Sequence, residues 1–331
     1  MLVQMLKLAW KGKKMQLSIV TTLFKSQEFI NEFHQRICAS ANLITNDYEV
    51  IYVDDGSPDD SLKVAIEIQK KDCRTRVIEL SKNFGHHPAI WTGLNHAKGD
   101  LVFLIDSDLE ENPELLPLFY AKLNDKSHDV VFGIAKERTG SWIKRIGGSL
   151  FYKGFNILAD IPIPENLLTV RLMNRNYVDS LLTHTESTFA LSGLWARTGF
   201  DQAPIVVDKG FRKVTSYNLV RRVSMLVHTL TAFSGKPLVA SFYLGIIVFL
   251  LSVIGALKIV VDRVFYSAPP EGWTSIAVSI WAIGGLILLG QGIQGIYLSK
   301  IFLETKRRPV SIIKKIHEAR ESHADKIQPA A

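Results

Sequence analysis

The sequence contains little cysteine and lacks the common loops that bind dinucleotides and triphosphates. Its 331 residues include two cysteines, Cys38 and Cys73, which cannot form a disulfide framework and show no spacing typical of a metal site. No Gly-x-Gly-x-x-Gly follows a predicted strand and no Walker loop occurs, which argues against dehydrogenases and nucleoside triphosphatases. The apolar start, Met1–Trp10, is too short for a signal peptide. We therefore expect a reducing compartment and no cleaved signal.

A second shortage is of charge towards the C terminus. Leu238–Val261 is apolar except for Lys258, and Gly272–Ser299 has no charged residue. A helix rises about 1.5 Å per residue, so either stretch crosses the ~30 Å hydrocarbon core of a bilayer. Two buried helices of a soluble protein are the alternative, but such helices rarely run uncharged for more than ~18 residues. The sequence predicts two transmembrane helices within residues 237–303.

Basic residues surround the two predicted spans. The formal net charge is +7, the hydrophobic content 47% and the mean hydropathy +0.13. The flanking residues are Arg212, Lys213, Arg221, Arg222 and Lys236 before the spans, and Lys300, Lys306, Arg307, Arg308, Lys314 and Lys315 after them. The positive-inside rule predicts that both termini and the preceding domain are cytoplasmic, at the plasma (inner) membrane, with connector 262–271 outside. A nucleic-acid protein would instead carry its basic residues on the sheet domain.

Two basic amphipathic segments precede the spans. Ser141–Leu158 and Tyr217–Phe233 have apolar residues at helical spacing, with basic residues and no acids among them. Such helices lie in the interface of anionic membranes, whereas packing on the sheet is the alternative. We expect membrane contact because a span starts directly after the second segment. The predicted layout is an extension at 1–14, a sheet domain at 15–216 that includes 141–158, a juxtamembrane helix at 217–236, two spans at 237–303 and a cytoplasmic tail at 304–331.

Strands alternate with helices in the first part of the chain. This order predicts an α/β fold with a mainly parallel sheet and right-handed crossovers. The predicted strands are Leu17–Phe24, Tyr48–Val53, Arg76–Leu80, Leu101–Ile105 and Val130–Gly133, and the predicted helices are Phe29–Leu43, Ser61–Lys71 and Pro88–Ala97.

Carboxylates follow the strand at Leu101–Ile105. Asp106 and Asp108 stand two residues apart there, at the edge of the sheet where open α/β folds bind ligands. Hard oxygen ligands of this kind suit Mg²⁺ or Mn²⁺, particularly when a diphosphate supplies further oxygens. A short Asp-x-Asp also occurs by chance, and two solvated turn acids are the alternative.

Acids also follow the strand at Tyr48–Val53. Asp54 and Asp55 can accept hydrogen bonds from a base or from ribose hydroxyls, or they can cap the helix that starts near Ser61. Adjacent histidines seldom bind one ion, and Pro88 follows His86 and His87, so we assign those two a loop role rather than a metal role.

Taken together, these motifs resemble family 2 glycosyltransferases of the GT-A fold, and most closely the polyprenyl-phosphate glycosyltransferases. Val53–Ser61 is similar to the nucleotide-binding loop of that family, Asp106–Glu110 to its metal motif, and Lys82–Gly85 to a loop near the nucleotide. Phe233–Leu238, standing before two apolar spans, is typical of the bactoprenol glucosyltransferases of lipopolysaccharide O-antigen modification. The resemblance covers roughly residues 15–308.

The resemblance implies a chemistry and its reactants. The chain would be an inverting glycosyltransferase that moves glucose from UDP-glucose to undecaprenyl phosphate at the cytoplasmic face of the membrane. UDP-GlcNAc, UDP-amino-arabinose derivatives and GDP-mannose are alternative donors. The implied partners are the donor, the lipid phosphate and the bilayer, and we expect a homo-oligomer that binds no nucleic acid.

The resemblance also implies roles for individual residues. It implies Mg²⁺ or Mn²⁺ held by Asp106, Asp108 and Glu110. The implied nucleotide-binding residues are Thr22, Phe24, Glu28, Asp54, Asp55, Lys82, Gly85, Asp106 and Ser107. The implied catalytic residues are Asp108, Asp160, Arg138, Arg171 and Arg212, of which the arginines would hold the lipid phosphate. A solvated surface arginine is the alternative for Arg212, and helix termination is the alternative to a base or orienting acid for Asp160.

The chain departs from the family pattern at three places. Thr22–Glu28 replaces the usual Pro-x-Tyr-Asn-Glu-Glu, Thr169 replaces the Asp of an Asp-Phe-Arg-Leu motif, and Ala135 replaces one member of a paired-Arg motif that keeps Arg138. A non-catalytic nucleotide-sugar sensor is a rival, which the intact acids at Asp106 and Asp108 disfavour. A processive polysaccharide synthase is a second rival, but the chain has no Gln-x-x-Arg-Trp motif.

Overall fold

A computed structural model of the chain describes residues 16–125, 128–135, 166–184, 186, 191–207, 235–266 and 272–318. Both amphipathic segments lie outside these ranges, as do the predicted site residues Arg138, Asp160 and Arg212. The chain divides into two compact units, a sheet domain and a helical unit, and each is described by itself.

The sheet domain contains one eight-stranded sheet with the order β7-β5-β6-β4-β1-β2-β3-β8. Within the group β1 to β4, each pair of neighbouring strands is parallel, as the alternation of strands and helices predicts. The strands are β1 (Leu17–Leu23), β2 (Tyr48–Asp54), β3 (Thr75–Leu80), β4 (Leu101–Leu104), β5 (Val130–Ala135), β6 (Leu167–Asn174), β7 (Gln202–Val207) and β8 (Ile313–His317). The domain is α/β with a mostly parallel sheet, as expected.

The helices of this domain connect the strands and cover the sheet. Every residue of β1 and β2 is buried, which explains why these strands are nearly continuous apolar runs in the sequence. The helices are α1 (Ile30–Asn42), α2 (Ser61–Lys71), α3 (His86–His96), α4 (Leu115–Asp125), α5 (Arg175–Leu182) and α6 (Leu191–Arg197). The core is therefore formed where helix faces, such as Phe33 and Ile37 of α1, pack on buried strands.

Three strands were not predicted, and they make the sheet mixed. β6 lies antiparallel between β4 and β5, while β7 is parallel to β5. The prediction of a tail from 304 to 331 missed β8, which pairs antiparallel with β3. Its residues alternate only weakly and include Lys314 and Lys315, a composition that suits an edge strand but resembles a solvated tail in sequence.

The start of α3 differs from the prediction. The helix begins at His86, not at Pro88, so His86 and His87 lie in its first turn and not in a loop. Gly85 precedes the helix with φ of 103°, a conformation that L side chains rarely adopt. Pro88 is tolerated in this first turn because its missing N–H would have no helical partner there.

The described part of the helical unit contains two long helices, α7 (Lys236–Tyr266) and α8 (Trp273–Thr305). Among the described residues, one stretch, Ile283–Thr305, is long and apolar enough to cross a bilayer, and Leu238–Val248 is a shorter apolar stretch. Large apolar side chains are exposed on both helices, for example Phe265 at 75% and Leu288 at 69%. The string Gly290–Gly295 has the spacing Gly-x-Gly-x-x-Gly but lies inside α8, where it cannot form a phosphate loop.

Candidate active site

The loop after β4 carries the Asp-x-Asp motif and is fixed to the end of β1. The buried Ser107 hydroxyl donates to the backbone oxygen of Thr22 at 2.8 Å, and the Ile105 amide donates to Val20 at 3.1 Å. This hydrogen bond of Ser107 fixes the loop to the end of β1. The carboxylates of Asp106 and Asp108, on either side of it, remain partly exposed at the edge of the sheet.

The conformation of this loop is tightly turned after Asp108. Leu109 has φ of 59°, in the left-handed region that is unusual for a leucine. The Glu110 amide donates to Asp108 Oδ1 at 3.1 Å, which fixes the orientation of that carboxylate. Asp106, Asp108 and Glu110 do not form a cluster of three converging ligand atoms in the described part of the chain. A metal bound here would therefore take one or two carboxylates and complete its shell with substrate oxygens, which is the usual arrangement for Mg²⁺.

His86 links this loop to the two neighbouring elements. Its Nε2 lies 3.6 Å from Asp106 Oδ1, and its Nδ1 lies 3.2 Å from the hydroxyl of Thr22. The side chain therefore connects the end of β1, the first turn of α3 and the loop that carries Asp106 and Asp108, here called the acidic loop. His86 was predicted to have a loop role, and no contact with the site was predicted for it. The single usable signal was its position after the Lys82–Gly85 loop.

Asp55 organises the loop at Lys82–Gly85. Its side chain is buried and accepts hydrogen bonds from the backbone amides of Phe84 at 2.7 Å and Gly85 at 3.0 Å. Burial raises the pKa of Asp55, while these two amides oppose the shift. Both oxygens thus hold the backbone just before α3, so Asp55 positions the Lys82–Gly85 loop.

Gly56 is required where the two loops touch. It has φ of 61°, and a Cβ at this position would lie 2.6 Å from the backbone nitrogen of Asn83. Any side chain would therefore separate the Asp54–Asp55 loop from the Lys82–Gly85 loop. The alternative that Asp54 and Asp55 cap α2 is wrong, because Asp59 accepts from the Ser61 amide at 3.2 Å at the start of that helix.

Asp54 lies at the end of β2 and is 2% exposed. The pKa of Asp54 is raised to about 6, mainly by burial. The nearby Glu79 adds to this rise, and the backbone amides of Ser57 and Gly56 oppose it. Glu79 stands beside Asp54 on β3 and is itself neutralised by Lys314 of β8 at 2.5 Å. The edge strand thus brings a cation to the nucleotide side of the sheet, which the sequence gave no reason to expect.

Arg171 is placed differently from the prediction. It is 1% exposed, and its guanidinium lies 3.0 Å from the centre of the Trp195 ring. Its Nε donates to the backbone oxygen of Thr169 at 3.3 Å. Burial lowers the pKa of Arg171 to about 9, with Tyr177 and Glu111 opposing the shift. In this arrangement the guanidinium packs inside the domain, and a lipid phosphate could reach it only if Trp195 moved.

The remaining predicted nucleotide contacts lie around the rim. Phe24, Glu28 and Lys82 are exposed, and Thr22 is buried at the end of β1. The Lys82 ammonium lies 5.2 Å from the centre of the Phe84 ring. The structure therefore brings Thr22, Asp54, Gly85 and the acidic loop to one edge of the sheet. The exposed side chains just named surround them.

Comparisons with known proteins place the chain in a family. A model of the family described as Glycosyl transferase family 2 matches residues 18–182. A Mycobacterium tuberculosis protein named "Putative glycosyltransferases" is 49% identical over 303 residues, which cover 92% of this chain and 89% of that protein. The "SfII prophage-derived bactoprenol glucosyl transferase" of Shigella flexneri is 29% identical, over 92% of this chain and 99% of that one. The crystal structure of glucosyl-3-phosphoglycerate synthase from M. tuberculosis has a TM-score of 0.49 at 19% identity, over 69% of this chain and 82% of that one.

Proposed function

The chain belongs to glycosyltransferase family 2 and is a glycosyltransferase, and from this premise we propose that it moves glucose from UDP-glucose to a polyprenyl phosphate at a membrane surface. The observation that supports this most is the meeting of three loops at one edge of the sheet, after β1, β2 and β4, in a chain that continues into two apolar helices. The 29% identity to a protein named as a bactoprenol glucosyl transferase favours the same acceptor class.

The donor is held between the β2 and β4 loops. Asp54 and Asp55 are the acids that would accept a hydrogen bond from the uracil or the ribose, since a carboxylate that already binds backbone amides keeps further acceptor capacity. The amides of the Lys82–Gly85 loop and the start of α3 lie next to this position, and helix N-termini favour anionic groups. Lys82 at the rim adds a mobile positive charge for the diphosphate.

Asp106 and Asp108 are the residues that would hold a divalent cation. Their oxygen donors, partial exposure and position at the carboxyl edge fit Mg²⁺ or Mn²⁺, with diphosphate oxygens completing the shell. When bound, such an ion supplies positive charge that stabilises the leaving nucleoside diphosphate. His86 restrains the Asp106 carboxylate, and the Glu110 amide restrains that of Asp108, so both acids are oriented before the donor arrives.

The acceptor side uses basic residues and the bilayer. A phosphate monoester has its second pKa near ~6, so a lipid phosphate is largely a dianion at neutral pH and attacks without an obligatory base. Arg138 and Arg212 are proposed to hold it, with Arg171 supporting the wall of the site from inside and Asp160 orienting the acceptor. Direct attack on the anomeric carbon inverts its configuration, so an α-linked donor gives a β-linked lipid phosphate sugar.

The exposed apolar surfaces of α7 and α8 support membrane attachment. An isolated apolar side chain on a surface is ordinary, but contiguous exposed apolar surface marks contact with a membrane or a partner. We propose that both helices cross the bilayer, with the catalytic domain and both termini in the cytoplasm.

A donor screen tests this function. Purified full-length protein is mixed with Mg²⁺, undecaprenyl phosphate and one of four donors, UDP-glucose, UDP-GlcNAc, a UDP-amino-arabinose derivative or GDP-mannose, and the released nucleoside diphosphate is measured. We expect release from UDP-glucose that depends on the lipid. Lipid-dependent release from another donor alone would overturn the sugar assignment, and binding of donors without any turnover would favour a sensor.

A further inference from the structure

A second cluster of metal-ligating side chains lies away from the donor site. His34 and Cys38 are one turn apart on α1, and Asp72 directly follows α2. Their neighbours Tyr48 and Thr75 are the first residues of β2 and β3, so the cluster lies at the opposite end of these strands from the Asp54 loop. Of the described residues, these three form the one group of His, Cys, Asp or Glu ligands that converges on a point.

The separations of the ligand atoms fit a tetrahedral ion. His34 Nε2 lies 3.7 Å from Cys38 Sγ and 3.6 Å from Asp72 Oδ2, and all three atoms are within 4.8 Å of one another. Zinc bonds of ~2.0–2.1 Å to nitrogen or oxygen and ~2.3 Å to sulfur, at tetrahedral angles, place such atoms roughly 3.3–3.6 Å apart. The two separations from His34 Nε2 therefore lie within a few tenths of an ångström of those around a tetrahedral zinc ion.

Each ligand is also held by a partner of its own. The hydroxyl of the fully buried Tyr52 lies 3.1 Å from His34 Nδ1, which directs Nε2 towards Cys38 and Asp72. Arg74 binds both oxygens of Asp72, at 2.9 and 2.8 Å. Metal-binding histidines and carboxylates are commonly oriented in this way by hydrogen bonds to their remaining atoms.

Tyr48 places a further buried polar group beside the cluster. Its side chain is 4% exposed and its hydroxyl forms no well-directed hydrogen bond to any described residue. The hydroxyl lies near the Cys38 thiol. Burial is the main cause that raises the pKa of Tyr48, and Cys38 raises it further. If zinc binds, the Cys38 thiolate can accept a hydrogen bond from this hydroxyl, as outer groups commonly do for metal ligands.

We propose that His34, Cys38 and Asp72 bind one Zn²⁺ ion, with water as fourth ligand, at a structural site that fastens α1 to the end of α2. Nitrogen, sulfur and oxygen donors in this combination are the ligands that zinc prefers in proteins. The ion replaces the thiol proton, so binding forms a zinc–thiolate bond and releases H⁺ to solvent.

The charges of the cluster are compatible with this ion. The Asp72 carboxylate and the thiolate together neutralise the two charges of zinc, so the nearby Arg74 meets a neutral centre.

Cobalt substitution tests the site directly. Full-length protein is stripped with a chelator, and Co²⁺ or Zn²⁺ is added back, with thiolate-to-cobalt absorption and bound zinc as readouts. We expect about one zinc per chain and a thiolate–cobalt band in the wild type, both lost in Cys38→Ser and His34→Asn. Tyr52→Phe should weaken zinc binding by roughly 10–100-fold, because it releases the imidazole.

The chain offers two matched controls. Cys73 is the second cysteine and is exposed, so Cys73→Ser should keep the band. Asp108→Asn, at the other end of the strands, should keep it as well. Absence of the band in the wild type would overturn the proposal, and a band that Cys73→Ser removes would identify adventitious metal on the exposed thiol. None of these readouts requires transferase activity, so a wrong sugar or acceptor leaves the test unaffected.

Discussion

Replacing Asp55 with asparagine tests whether this buried acid fixes the Lys82–Gly85 loop. The wild-type carboxylate accepts from the amides of Phe84 and Gly85. Asparagine has the same shape but offers one acceptor oxygen, so its NH₂ group would face the second amide. A buried amide left without an acceptor costs about 1–3 kcal/mol. Burial already raises the pKa of Asp55, and a neutral side chain avoids that desolvation cost, so we expect a loss of about 1–2 kcal/mol.

The loss should appear in both stability and donor binding. For a domain of 150–250 residues, about 1 kcal/mol corresponds to ~2–4 °C in Tm, so Asp55→Asn should lower the Tm by about 2–8 °C. The displaced loop should also raise the KM for UDP-glucose, with the KM for the lipid nearly unchanged. Scanning fluorimetry and initial rates measure the two effects on the same preparation.

Asp60→Asn is the matched control for this substitution. Asp60 is exposed in the same loop region and pairs with Lys63 at the surface, where solvent screens the interaction. Its substitution should leave both the Tm and the donor KM close to the wild type. Equal behaviour of the Asp55 and Asp60 variants would refute the role assigned to Asp55.

Three further predictions concern titration, the acceptor and topology. Burial raises the folded pKa of Asp54 to about 6, above its ordinary value of 3.8, so the contribution of this one group to stability falls as pH rises from 3.8 to 6. Asp54→Asn removes that contribution, so the Tm of the variant should rise relative to that of the wild type over this range, and an unchanged difference would contradict the assignment. Reversing the charge of Lys144 and Arg145 should raise the KM for the lipid and leave the donor KM alone, and a rise for the donor only would refute contact with the lipid. A cysteine placed at Ser267 should react with an impermeant reagent outside intact cells and one placed at Ser322 should not, and the reverse pattern would exclude the proposed topology.

The central part of the fold could be predicted because its strands are buried on both faces. Tyr48–Asp54 and Leu101–Leu104 are apolar runs followed by polar turn residues, and the observed bounds differ from the predicted ones by a single residue. β8 could not be predicted in the same way. Its lysines face solvent or pair with Glu79, a residue far away in the sequence, so its local composition is that of a tail.

The sequence predicted which edge of the sheet carries the acids, but not which contacts each acid makes. The motif places Asp54 and Asp55 at one edge, yet only the fold shows that Asp55 binds the amides before α3 while Asp54 accepts from the amide of Ser57 in its own loop. The cysteine spacing predicted no metal site, since the second cysteine is not one of the proposed zinc ligands and Asp72 reaches the cluster only through the fold. Interactions between residues far apart in sequence leave no local pattern.

Transfer of radiolabelled glucose to undecaprenyl phosphate, compared with undecaprenol, tests the central claim most directly. Wild-type protein and Asp108→Asn are assayed with UDP-glucose and Mg²⁺, with and without EDTA. We predict a β-linked glucosyl lipid phosphate from the wild type, no product from the free alcohol or in EDTA, and a rate lower by about 10²–10³-fold in Asp108→Asn, the size of a lost electrostatic contact in a transition state. Full activity of Asp108→Asn, or transfer to other acceptors with none to the lipid phosphate, would contradict the account.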